Sequence, residues 1–164
     1  MRRTPRPLFT PALVALLLAL ANAAAHGADT PPPTPPAATD AMAVVRGHIE
    51  GQRWTAAIDA LTQANKTGDA DWNNLMGYAL RKQARPDLEG SQRFYDAALK
   101  INPKHMGALE YSGELALMKG DLPTAETRLA ALGQLCSTPC AALDTLKKSI
   151  ASYRVSGAGG AKTY

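Results

Sequence analysis

Residues 74–103 read NLMGYALRKQARPDLEGSQRFYDAALKINP, and residues 110–139 read EYSGELALMKGDLPTAETRLAALGQLCSTP. The two stretches share one layout. Each has a glycine, Gly77 or Gly113, near the middle of a first helical pattern, and then a turn at Arg85-Pro86-Asp87 or Gly120-Asp121-Leu122. A small residue follows early in a second pattern (Ser91, Ala125), then a bulky one (Tyr95, Leu129), then Ala98 or Leu132. Small residues at these places let two helix axes approach closely, because bulk there would push the axes apart. The bulky residues fill the space between one helix pair and the next, so each unit needs its neighbour to bury its apolar face.

The same spacing extends outward from this core. Upstream, GQRWTAAIDALTQANKTGD carries Trp54, Ala57, Leu61 and Ala64 at second-helix spacing, with AMAVVRGHIE as the matching first helix. Turn signals stand at Gly51-Gln52, Lys66-Thr67-Gly68-Asp69, Asn102-Pro103 and Ser137-Thr138-Pro139. Downstream, a last helix is expected from about Pro139 to Arg154. The chain is 46% hydrophobic, much of it alanine, and 5% aromatic, which suits close-packed helices better than sheets. The fold class expected is all-α: six short helices in antiparallel pairs and a seventh.

Trp72 through Pro103 resembles the tetratricopeptide repeat (TPR) family, with its aromatic start, apolar-Gly step, small-aromatic-small second helix and Asn-Pro stop. Leu109 to about Cys136 is similar through Gly113, Gly120, Asp121, Ala125 and Leu129. It departs from the pattern in having Ala116 where an aromatic is usual and Ser137 near the usual proline. The middle repeat carries extra residues around Ala84 to Leu88. The resemblance implies a helix-turn-helix solenoid of about three repeats with a C-terminal capping helix. Residues 108–140 are similar to small periplasmic members of the family with a Leu-Cys-x-x-x-Cys segment before an amphipathic last helix, a likeness that implies fold and compartment but no activity.

The chain divides by composition into residues 1–25, 26–39, 40–155 and 156–164. Arg2, Arg3 and Arg6, the apolar run Ala12–Leu20 and the small residues at Ala21-Asn22-Ala23 or Ala23-Ala24-Ala25 read as an export signal. The run is about half the roughly 20 residues a permanent membrane helix needs, so a periplasmic or secreted protein without a permanent membrane anchor is expected. The whole chain has 18 Lys and Arg against 14 Asp and Glu. Three of the arginines lie in the leading segment and no acid does, so the remainder is near neutral and gives no case for nucleic acid. Five prolines in residues 29–39 read as a semi-rigid spacer, and the Gly-rich end as a disordered tail.

Cys136 and Cys140 are the two cysteines, and a pair in an exported chain points to a disulfide that pins the last helix to the last repeat. Ser137 or Thr138 would cap that helix and Pro139 would be its first residue. A redox or metal-handling role for the pair is the sharper alternative. It lacks the Cys-x-x-Cys spacing of thiol oxidoreductases and any histidine nearby in sequence. His26 could chelate copper only as a new N-terminus, and His48 and His105 read as surface or partly packed residues. There is no Ser-His-Asp set, Gly-rich phosphate loop or His-Glu-x-x-His pair, so no enzyme and no cofactor is expected.

In the family the first helices line a concave surface. Helical spacing from Gly77 and Gly113 places Asn74, Tyr78, Arg81 and Lys82, then Glu110, Glu114, Leu117 and Met118, on that inner stripe as exposed partner-binding residues. A family clamp for C-terminal carboxylates is disfavoured, because Gly107 and Tyr111 stand where it would want cations. The function expected is binding a protein partner or an extended segment of one. Self-assembly into a homo-oligomer is the other alternative.

Overall fold

The computed structural model describes residues 40–137 and 139–156; the expected export signal, the proline-rich spacer and the Gly-rich tail lie outside them. Seven helices run in chain order: α1 (Ala41–Glu50), α2 (Trp54–Ala64), α3 (Ala70–Lys82), α4 (Leu88–Ile101), α5 (Met106–Met118), α6 (Leu122–Leu135) and α7 (Ala141–Ser156). The described residues contain no strand, so the fold is all-α, three helix pairs followed by a seventh helix that packs on α5 and α6. No described helix is long and apolar enough to cross a membrane.

Short acidic caps set the starts of four helices. Asp40 accepts from the Met42 amide (3.0 Å), Asp69 from those of Asp71 and Trp72 (2.7 and 3.2 Å), Asp87 from Gly90 (2.8 Å) and Asp121 from Thr124 (3.0 Å). Each bond satisfies an amide that the first helical turn leaves without a partner. His105 does the same for α5, its Nδ1 accepting from the Ala108 amide at 3.1 Å. Gly120 closes the turn between α5 and α6 at φ +81°, a backbone state that side chains disfavour.

The glycines at the two crossings work as the sequence pattern predicts. A Cβ on Gly77 would meet the Tyr95 ring at 2.8 Å and the Ser91 carbonyl at 3.1 Å, so α3 and α4 touch here through backbone and ring. A Cβ on Gly113 would meet the Leu146 methyls of α7 at 2.7 and 2.9 Å. The apolar core falls into two clusters. One joins Met42, Val45, Leu61, Trp72 and Met76, with the Trp72 indole N–H donating to the Leu61 carbonyl at 2.8 Å. The other joins buried residues of α5, α6 and α7, including Leu117, Leu132, Leu146 and Ile150. Ala116 lies in this second cluster, where the Tyr153 ring of α7 also packs.

Cys136 and Cys140 form a disulfide, with Cα atoms 5.8 Å apart. Its closure corrects the expected start of the last helix. The bond to Cys136 holds Cys140 in the connection, so Pro139 precedes the helix, which begins at Ala141, instead of opening it. The Cys140 carbonyl accepts the first bond, from the Asp144 amide at 3.0 Å. Thr138, one of the two expected caps, lies outside the described residues.

Gly77→Ala should lower stability by about 1–3 kcal/mol, the usual range for overpacking a tight contact. Gly47→Ala, where a Cβ meets nothing within 4 Å, should instead stabilise α1 by about 0.5–1 kcal/mol. Urea unfolding of the two variants checks both signs.

Candidate functional site

The first helices α3 and α5 meet through a charged contact. Arg81 Nη2 donates to Glu114 Oε2 at 2.6 Å, and the two side chains are 1% and 9% exposed. Rings enclose the cation: its central carbon lies 5.6 Å from the Tyr78 ring centre and 5.8 Å from that of Tyr111. Met118 Sδ is 3.9 Å from Arg81 Nη1. From α7, the Ser149 hydroxyl donates to the second Glu114 oxygen at 3.4 Å. Burial opposes the Arg81 charge, yet the neighbouring Tyr95 and Glu114 outweigh it and hold its pKa above the ordinary value. Tyr95 is fully buried, and that burial is the main cause of its raised pKa.

The aromatic rings continue from one helix to the next. Tyr78 and Tyr111 are 4.5 Å apart, Trp54 lies edge-on to Tyr78 at 5.8 Å, and Tyr111 reaches Tyr95 at 6.5 Å. Tyr78, Tyr111 and Trp54 are all half-buried, leaving part of each ring at the surface. Glu110, one turn before Glu114 on α5, is half-buried as well. Its carboxyl is pushed up to about 7, first by burial and then by the Glu114 charge, against the opposing pull of Arg81.

The eight residues expected on an exposed stripe therefore divide. Tyr78, Lys82, Glu110 and Met118 keep part of their surface. Asn74, Arg81, Glu114 and Leu117 are buried, at 4%, 2%, 7% and 0% exposure, which corrects the expectation that they are open. Helical spacing places a residue around its own axis but does not show what lies over it. Here Leu117 belongs to the cluster that α7 completes, and Arg81 and Glu114 cover each other. Tyr95 and Trp54 lie outside the expected stripe, and Tyr111 enters the sequence reading only at a clamp position, not as a contact residue. The signal for Tyr111 is an aromatic one residue after Glu110, where a helix pair set close enough would bring it onto Tyr78.

The two described histidines have structural partners. His48 Nδ1 accepts from Arg53 Nε at 3.1 Å, and His105 caps α5 with its Nε2 3.9 Å from Asp71. Among the described residues no group of three or more His, Cys, Asp or Glu could hold a metal ion, and neither cysteine is free. Comparison with family models, with curated proteins and with solved structures finds no match to this chain.

Truncating one partner of a buried ion pair leaves the other charge without compensation. Arg81→Ala should therefore cost about 3–5 kcal/mol, whereas the double change Arg81→Met with Glu114→Met should recover most of it. Equal losses in the single and double variants, measured by denaturant unfolding, would show that the pair is not the source. Glu110 gives a pH signature. Its folded pKa is raised, so the stability it confers is full below the ordinary carboxyl value and is lost as pH rises toward 7. Glu110→Gln should raise the melting temperature at about pH 8 and leave it nearly unchanged at about pH 4. A pH-independent difference would contradict this.

Proposed function

We propose that the chain is an exported TPR-type protein whose first-helix face, centred on Tyr78, Tyr111 and Glu110, holds a protein partner or an extended segment of one. The observation that carries this reading is the ring-enclosed Arg81–Glu114 pair beneath that face. A buried ion pair is an inefficient way to stabilise a fold; hydrophobic residues of similar volume often serve as well or better. It does hold its neighbours in defined positions, because a guanidinium–carboxylate bond is directional. Half-exposed tyrosines fixed in this way form a rigid amphipathic contact surface, of the kind enriched at interfaces.

Paired helices with glycine at their close crossings, and a seventh helix closing the array, support the family part of the reading. Export to a periplasm rests on residues 1–25, and the Cys136–Cys140 disulfide is in keeping with an oxidising compartment. Self-assembly is a second reading, favoured by the groove that Ala41, Val44, Ala60 and Ala64 line on the open side of α1 and α2.

A photo-crosslinking probe in living cells tests the face. It is placed at Lys82, half-buried next to the site, with a control at Asp59, exposed on α2. One discrete protein captured from Lys82 and not from Asp59 is the expected result. Self-crosslinks alone would favour assembly. No product from either probe in a well-folded protein would overturn this face as the working surface.

A further inference from the structure

The same face carries a half-buried carboxyl group, one turn before Glu114 on α5. Glu110 makes no ion pair among the described residues. The cation nearest to it in effect, Arg81, is already bonded to Glu114. When Glu110 ionises, the three groups carry one negative charge in excess, in surroundings that burial has partly dried. Burial raises the pKa of Tyr78 and pushes Tyr111 up to about 12, with the Glu110 charge a smaller cause in each. Their rings stand 4.5 Å apart at a tilt of 36°.

A further acceptor lies one turn away. Asn74 precedes Tyr78 by one turn of α3, and its amide packs at Gly107, which precedes Glu110 by one turn of α5. Its Oδ1 is buried with no donor among the described residues. The site thus has two half-exposed rings and a carboxyl group with no cationic partner of its own, above a buried amide oxygen that lacks a donor among the described residues.

We propose that Tyr78, Tyr111 and Glu110 form the seat of one basic side chain, an arginine or a lysine, presented by the partner. This rests on the partner-face reading above and narrows it to a partner of stated chemistry. The guest's charged head donates to the Glu110 carboxylate, and its aliphatic stem lies along the tyrosine rings, where a cation is also attracted to the ring faces. An acidic guest would place a second anion beside Glu110. An apolar one would bury the carboxylate further without a partner. The seat therefore selects by penalty as well as by attraction.

The test titrates the full chain with acetyl-arginine amide and with acetyl-citrulline amide, which has nearly the same shape but no charge, following the tyrosine ring resonances. The arginine compound should shift the Tyr78 and Tyr111 signals saturably and the citrulline compound should not. Glu110→Gln should weaken the arginine response by about tenfold or more, as loss of a charge-assisted bond requires. That variant is expected to melt no lower than the parent, so a normal melt assures that a lost response is not lost folding. No response to arginine, an equal response to citrulline, or an undiminished response in Glu110→Gln overturns the seat. Repeating the Lys82 crosslink in the Glu110→Gln background separates the two readings. Undiminished capture of the same partner sinks the basic seat and leaves the face standing, whereas no capture even in the parent removes the face and the seat with it.

Discussion

The Arg81–Glu114 contact decides how the middle of the array is arranged. Apolar packing holds helices together without strong directional preference, so neighbouring pairs could settle in several nearby registers at similar energy. A guanidinium bonded to a carboxylate at 2.6 Å, with almost no water around either, admits far fewer. Taking the two charges out of water costs several kcal/mol each, and only good geometry with further partners offsets this. The fold supplies those partners from three directions: rings from α3 and α5, a thioether from Met118, and a hydroxyl from Ser149.

The position of this contact in the molecule matters as much as its strength. The apolar core is not continuous: one cluster is built on α1 to α3 and the other on α5 to α7, with α4 lending Phe94 to the first and Leu99 to the second. The ion pair, buried Ser91 and Ser112, and Tyr95 are buried outside either cluster, with the ion pair linking α3 of the first to α5 of the second. Gly77 makes room for the Tyr95 ring there. The half-exposed tyrosines are the outer edge of this polar zone, so the proposed contact surface lies over the least oily part of the interior.

Much of the helical architecture could be read from local chemistry. The turn signals at Lys66-Thr67-Gly68-Asp69, Arg85-Pro86-Asp87 and Gly120-Asp121 fall between helices, and Gly77 and Gly113 mark close crossings. The start of α7 could not be placed in this way, because the Cys136–Cys140 bond overrides the preference of Pro139 for a first helical position. The site was half visible. Helical spacing brought Tyr78, Arg81, Glu110 and Glu114 to one side of their helices. Burial of Arg81 and Glu114, and the place of Tyr111 against Tyr78, arise from contacts 33 residues apart in sequence, which no local pattern records.

Repeat proteins are commonly treated as modular, each unit adding its own share of surface. The cover over Glu114 does not follow that rule. Ser149 and Leu146, which close over Glu114 and Gly113, belong to the last helix, and Ser149 is 35 residues from the carboxylate it touches. The smallest fragment that carries the ion pair with its cover therefore runs from the start of α3 to the end of α7. A single repeat grafted elsewhere would bring either the arginine or the glutamate, never both, and two repeats without the seventh helix would open the pair to water. In this chain the face of the middle repeats belongs to the array as a unit, and the disulfide-tethered C-terminal helix is part of it.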